Sequence, residues 1–258
     1  MKFKELLNKI LFYISVPKCV GCKIRLSVND LALCPECLKE YNNIKTRNCS
    51  ICSNPLYECT CSNHYLKSHY VNKLIKVFRY VHREPLPSNN LIYSLKRDNR
   101  RDVLELLTNE LCSAIKNSID TATTQDLIFT NVPRRKESIR KYGMDHAEML
   151  AKSVAKHFSA AYYQPLYSNS KNEQKHMSSV ERIKNANFKL KRNAKDLKGK
   201  TVILIDDIVT TGASMGSAAM LLRSLKAKKI IGAVISVAYK DDYIPLNKDD
   251  RFLPYKKI

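Results

Sequence analysis

Val202-Ile203-Leu204-Ile205-Asp206-Asp207-Ile208-Val209-Thr210-Thr211-Gly212-Ala213-Ser214 changes character twice. It opens with four apolar residues in a row, the pattern of a strand buried on both faces of a parallel sheet. Two carboxylates follow, placed where a strand over 201–205 meets solvent. Small and hydroxylated residues then lead into a helical pattern over 214–225. Successive backbone N–H groups in such a loop form a concave anion nest, and the helix start adds positive potential. The acids can accept hydrogen bonds from a ribose 2′,3′-diol. The loop, with the hydroxyls of Thr210, Thr211 and Ser214, suits a phosphate monoester dianion. Asp206, Asp207, Ile208, Val209, Thr210, Thr211, Gly212, Ala213 and Ser214 therefore form the candidate phosphoribosyl-binding segment. An ordinary strand–turn–helix with acids at the strand end is the plainer alternative. Neither the G-K-[ST] of a Walker A loop nor a G-x-G-x-x-G dinucleotide turn occurs.

Outward from this segment, strands are expected over 74–81, 127–132, 161–166 and 229–238. Pro133 stops the second of them abruptly. Helical spacing covers 91–96, 102–116 and 143–158, and the polar stretch 168–187 is expected to be a long loop. Continuous apolar strands alternating with helices indicate an α/β fold, a parallel sheet covered on both faces. Ligands in such folds sit outside the carboxyl ends of the strands, here expected at Val132, Leu166, Ile205 and Ala238.

The N-terminal region has a different logic. Eight of the nine cysteines lie between positions 19 and 61, as Cys19/Cys22, Cys34/Cys37, Cys49/Cys52 and Cys59/Cys61. A C-x-x-C turn puts two thiolates on one side of a tight knuckle, and two knuckles complete a tetrahedral site. Two structural zinc ions fit the count; a single zinc, disulfides or an iron–sulfur cluster are the alternatives. Disulfides would need an export route, and a reduced cytoplasm is the expected location. Sequential pairing of the knuckles is the simple arrangement, with cross-bracing left open. Too few apolar residues lie between 17 and 65 for this region to fold unaided, so metal binding would supply the folding energy. Four thiolates leave no open coordination position for catalysis. His64 and His69 are expected to be bystanders, and Cys112 a buried apolar thiol.

The chain has 258 residues and a formal net charge of +21. Such an excess draws a protein toward polyanions, of which nucleic acid is the commonest, although a solvated basic surface accounts for it equally. No segment approaches the roughly 20 apolar residues that span a bilayer. Residues 1–16 are charged and amphipathic and are expected to form a short helix rather than a secretory signal. No internal repeat is evident in the sequence.

The acid pair and its loop resemble the phosphoribosyl diphosphate signature of type I phosphoribosyltransferases. With the cysteine pairs, the chain resembles the ComF family, double-zinc-ribbon proteins linked to bacterial competence, along nearly its whole length. Pro17-Lys18-Cys19, Leu95-Lys96, Val132-Pro133-Arg134-Arg135 and Arg140-Lys141-Tyr142-Gly143-Met144-Asp145-His146 carry the likeness. So do Gln174, Arg182, Asn185 and Phe188. The family's loop usually ends R-G-F-N-Q, and this chain departs at Lys141, Tyr142, Met144, Asp145 and His146.

The resemblance implies a type I phosphoribosyltransferase-like sheet over 67–258, preceded by an N-terminal helix and double zinc ribbon over 1–66. It implies that the loop after Val132 faces pyrophosphate, with Arg134 and Arg135 joining Asp206 and Asp207 as the catalytic set. Residues 168–187 would be a flap, with Lys96, Arg140, Lys141, Gln174 and Arg182 as flap or nucleic-acid contacts. Mg²⁺ would bridge sugar and pyrophosphate oxygens. The family's link to uptake of single-stranded DNA implies a helicase-like competence partner. An active transferase of nucleotide salvage is the other expectation, with Asp207 as candidate base, but nothing in the sequence identifies an acceptor. His146 and His176 are expected to be solvated or capping residues.

Overall fold

A computed structural model describes residues 17–49, 51–81, 84–119, 126–169 and 188–238. The expected helix over 1–16, the tail after 238, His176, Asn185 and the site candidates Gln174 and Arg182 lie outside the described residues.

Five strands form one sheet in the order β1–β7–β6–β2–β3. They are β1 (Val71–Arg79), β2 (Leu127–Asn131), β3 (Ala161–Tyr162), β6 (Thr201–Val209) and β7 (Lys229–Val237). All four pairings are parallel. A short antiparallel ladder joins β4 (Leu166–Ser168) to β5 (Phe188–Leu190). The single strand expected over 161–166 is thus two, in different sheets. Ser168 belongs to β4 rather than to the expected loop, most of which lies outside the described residues.

The helices are α1 (Pro35–Lys45), α2 (His64–Ser68), α3 (Pro87–Arg97), α4 (Arg101–Ser118), α5 (Lys136–Tyr142), α6 (His146–His157) and α7 (Ala213–Ser224). Helices α1, α2 and α5 carry too little apolar periodicity to be read from the sequence. Pro35 at the first turn of α1 supplies a preset φ, and Tyr41 and Ile44 give it a buried side.

Strand alternation sorts the sheet's residues into two cores. Ile203, Ile205, Ile231 and Phe129 pack on one face with α3, α4 and α6. Val202, Leu204, Ile230 and Val234 pack on the other with Leu66 of α2 and Met215 and Leu222 of α7. The first cysteine region joins the former core directly: Val20, Leu26, Leu33 and Tyr41 are all buried with Phe78 of β1. Tyr41 meets Phe78 edge-on at 5.7 Å.

A repeat does exist, visible as backbone geometry. In the first knuckle Cys19 N–H donates to Ile24 O (2.7 Å) and Lys23 N–H to Cys19 O (3.0 Å). Thirty residues on, Cys49 N–H donates to Asn54 O (2.8 Å) and Ser53 N–H to Cys49 O (2.9 Å). Lys23 and Ser53 take the same left-handed turn, with φ 66° and 59°. Only Cys19/Cys49, Cys22/Cys52 and the buried pair Leu26/Leu56 match between these segments, which is why the sequence hides the repeat: a thiolate knuckle constrains the backbone and leaves most intervening side chains free.

Candidate functional site

The crevice arises from unequal strand lengths. β2 ends with Asn131 opposite Ile205, and the final bond runs from Val132 N–H to Ile205 O at 2.9 Å. β6 continues to Val209 alongside β7. The carboxylates therefore lie within the strand, correcting the expectation that it stops at Ile205. Ile208 and Val209 are β-branched and still have a partner strand on one side. Residues 206–209 face no β2 neighbour, which leaves that edge of β6 open beside the acids. This gap is also where the chain reverses direction across the sheet: β2 leads outward to β3, β6 leads the other way to β7. Ligand crevices of open α/β sheets form at such switch points.

Asp207, 6% exposed, receives two cations on one oxygen. Lys96 Nζ lies 3.1 Å from its Oδ2, and Arg134 Nη2 lies 3.2 Å from the same atom. Its Oδ1 accepts from the Ile208 N–H at 2.7 Å. Burial would raise this carboxyl, but Lys96 and Arg134 outweigh it and hold the group below the usual aspartate range. Asp206 goes the other way: burial and the adjacent Asp207 charge push it well above that range. Two neighbouring acids are thus shifted in opposite directions, Asp207 toward its ionised form and Asp206 toward its protonated form.

Arg134 is held at three points. Its backbone N–H donates to Asp145 Oδ2 (3.0 Å). Asp145 Oδ1 in turn caps α6 by accepting from Glu148 N–H (3.1 Å). Arg134 Nη1 donates to His146 Nδ1 at 2.7 Å. A guanidinium only donates, so Nδ1 is the bare nitrogen and Nε2 carries the proton, donated to Asn99 Oδ1 at 3.0 Å. Burial, then the charge of Arg134, holds His146 down at about 4, so it stays neutral around pH 7.

The departures from the family's loop ending therefore have work to do here. Asp145 caps a helix and fixes the loop; His146 orients the guanidinium. His146 is 1% exposed, which corrects the expectation of a solvated ring. Asp145 was legible in principle, because Asp145-His146-Ala147-Glu148 is an N-terminal helix signature. Asn99 was not, since it lies on a turn 47 residues before His146.

The loop after β6 has the expected form. Gly212 sits at φ 85° ahead of α7, and a Cβ there would come within 2.7 Å of Leu66 Cγ. Left-handed backbone and a packed neighbour both demand glycine. Thr210 is exposed, and Thr211 Oγ1 accepts from Ala213 N–H at 3.3 Å. Arg135 starts α5, whereas Arg140 and Lys141 stand exposed on that helix. The expected basic loop is thus partly helical. Lys96 stands at the acid pair itself.

The thiols gather in sequential order, Cys19, Cys22, Cys34 and Cys37 in one group and Cys49, Cys52, Cys59 and Cys61 in the other. In each group the sulfurs all lie within 4.8 Å of one another. Cys22 and Cys34 sulfurs are 3.6 Å apart, Cys52 and Cys59 sulfurs 3.4 Å. A tetrahedral ion with bonds of about 2.3 Å sets its sulfurs about 3.8 Å apart, so both groups could hold zinc. Burial opposes ionisation of Cys19 and Cys49, yet backbone N–H donors bring each down to about 7. His69 Nδ1 contacts Tyr65 O at 2.7 Å and the ring stacks on Tyr65, away from ligand duty.

The phosphoribosyl transferase domain family matches residues 144–256. Competence protein F of Haemophilus influenzae is 24% identical over 224 residues, covering 83% of this chain and 93% of that protein. Ribose-phosphate pyrophosphokinase of Thermococcus kodakarensis is 60% identical over 35 residues, 14% of this chain and only 12% of its own length. A hypoxanthine phosphoribosyltransferase structure from Staphylococcus aureus aligns at 16% identity and TM-score 0.33, over 53% of this chain and 65% of that one. The chain thus spans less than two thirds of the last two proteins. No helix among the described residues is long and apolar enough to cross a membrane.

Proposed function

We propose, on the premise that this is a ComF-like chain with a phosphoribosyl transferase-type domain, that its crevice binds a phosphorylated ribose: phosphoribosyl diphosphate or the 5′-phosphate end of a nucleic acid. The observation that carries the reading is the juxtaposition of Asp206 and Asp207 with a loop led by left-handed Gly212, across from Arg134 and Lys96. The ribose hydroxyls would exchange for Arg134 and Lys96 on Asp207. The freed cations would then meet the diphosphate. The start of α7, a helix of 12 residues, would take the 5-phosphate through its backbone N–H groups. Mg²⁺, held beside Asp206 and Asp207 with the bound sugar, would supply charge neutralisation for a leaving diphosphate; the protein's share is to orient the sugar and to supply its two cations, Arg134 and Lys96.

Calorimetry of phosphoribosyl diphosphate with Mg²⁺ tests this, comparing wild type with the Asp206→Asn/Asp207→Asn double variant. Loss of binding in the variant supports the reading, and equal affinity removes the carboxylates from it. The proposed role is the handling of single-stranded DNA during uptake, in the cytoplasm and beside a helicase-like partner, and the likeness to Competence protein F supports it. The charge of +21 supports a polyanionic ligand. Oligonucleotide binding should weaken steeply as salt rises, and a flat salt dependence counts against it.

A second reading is favoured by Arg134 and Lys96 together, two cations suited to a departing diphosphate. Here an acceptor's lone pair forms a bond to C1 while the C1–oxygen bond breaks and its electron pair leaves with pyrophosphate. Pyrophosphate release in the presence of a defined base would establish it.

A further inference from the structure

The segment joining the second cysteine group to the phosphate loop is three residues long, and each is pinned. Lys76 Nζ donates to Cys61 O at 2.8 Å. Ser62 Oγ donates to Val71 O at 2.8 Å. Asn63 uses both ends of its amide: Oδ1 caps α2 by accepting from Leu66 N–H (2.8 Å), and Nδ2 donates to Thr211 O at 3.2 Å. The capping fixes which end is oxygen, so the contact with Thr211 is a true donor–acceptor pair.

We propose that Asn63 is a positioning residue for the phosphate-binding loop, through which the second cysteine group sets that loop's shape; this rests on the ribose-phosphate reading given above. In a trans peptide the C=O and the following N–H point in opposite directions. Holding Thr211 O toward α2 therefore turns the Gly212 N–H away from α2 and toward the loop's open side. Leu66, on the helix that Asn63 caps, closes on Gly212 so tightly that no Cβ fits. Tyr65 and His69 do the same at Gly216, one turn further along α7. The loop is thus braced from behind by residues that begin two positions after the last thiolate. The contacts of this brace fall on the backbone of the loop and of α7, so its effect on binding would run through the amide geometry of 211–213.

The test uses Asn63→Asp and Asn63→Ser, both good helix caps; the Asp carboxylate has no donor for Thr211 O, and the Ser hydroxyl is one bond shorter than the amide arm that reaches it. Calorimetry compares ribose 5-phosphate with inorganic pyrophosphate, each with Mg²⁺, and thermal melting and metal content are measured alongside. Losing one neutral hydrogen bond predicts ribose 5-phosphate binding weakened about five- to tenfold. Pyrophosphate binding, melting temperature and metal content should stay at wild-type values. Unchanged ribose 5-phosphate affinity overturns the proposal, and so does an equal loss for both ligands. Failure of both variants to retain metal also overturns it, by showing a role in the fold rather than the loop. If wild type binds neither ligand, the ribose-phosphate reading falls first and takes this inference with it.

Discussion

Adjacent carboxylates in one strand are expected to respond oppositely to the same substitution. Asp207 is held ionised by Lys96 and Arg134, so its contribution to stability is complete above the usual aspartate range and disappears as pH falls through its lowered folded value. Asp207→Asn leaves two facing cations without a counter-charge and should destabilise the fold by about 2 kcal/mol in denaturant unfolding at neutral pH. Asp206 is raised, so the folded protein keeps a proton that the unfolded chain releases, and its contribution falls as pH rises from the usual aspartate range toward the folded value. Asp206→Asn should therefore match or exceed wild-type stability at neutral pH while losing ligand affinity. At Gly212, five residues after Asp207, the argument is steric. Gly212→Ala adds a left-handed penalty of about 1–2 kcal/mol to a collision with Leu66, and should melt earlier than Gly199→Ala, which shares the left-handed backbone (φ 79°) but has nothing within 4 Å. His146→Gln retains an acceptor for Arg134 and should keep phosphoribosyl diphosphate affinity, whereas His146→Leu should lose it; equal affinities would separate His146 from the site.

Elements place these residues through what they lack. β2 stops four residues short of β6, and that shortfall opens the crevice. α2 is only five residues long, yet its Leu66 closes the back of the loop after β6 at Gly212. β1 contributes a lysine where an apolar residue is expected: Lys76 is 1% exposed, flanked by the buried Leu74, Ile75, Val77 and Phe78. Among the described residues no carboxylate lies within ion-pairing distance of it, and its Nζ reaches only Cys61 O and Leu74 O. A divalent ion on four thiolates leaves a net double negative charge, which this ammonium offsets. Lys76→Met should therefore release one of two zinc ions to chelator at least about tenfold faster while the other leaves at the wild-type rate. Equal release of both would detach Lys76 from the second group.

For the whole molecule, the two cysteine groups differ in how deeply they are built in. Cys19, Val20 and Tyr41 belong to the large core that also contains Phe78, Leu107 and Ile205. Cys49, Leu56 and Cys59 form a separate small cluster. Metal analysis should return about two zinc per chain, and removal of both should lower the melting temperature of the entire fold rather than release an independent ribbon. A melting curve in which the sheet survives chelation unchanged would contradict that continuity.

The local patterns reached far because they are written in neighbouring residues. The apolar run before Asp206, the T-T-G-A-S loop and the spacing of the thiols are each read from residues close in the chain, and they yielded the parallel sheet, the glycine-led loop after β6 and the two thiol groups. What only tertiary structure decided is which distant groups meet. Lys96, Asn99, Arg134, His146 and Asp207 converge from four places in the chain, and Asn63 finds Thr211 across 148 residues. Their meeting depends on strand order and strand length, and no periodicity records how far one strand extends beyond its neighbour. That offset is settled by packing, since a hydrogen-bond ladder continues only while a partner strand lies beside it.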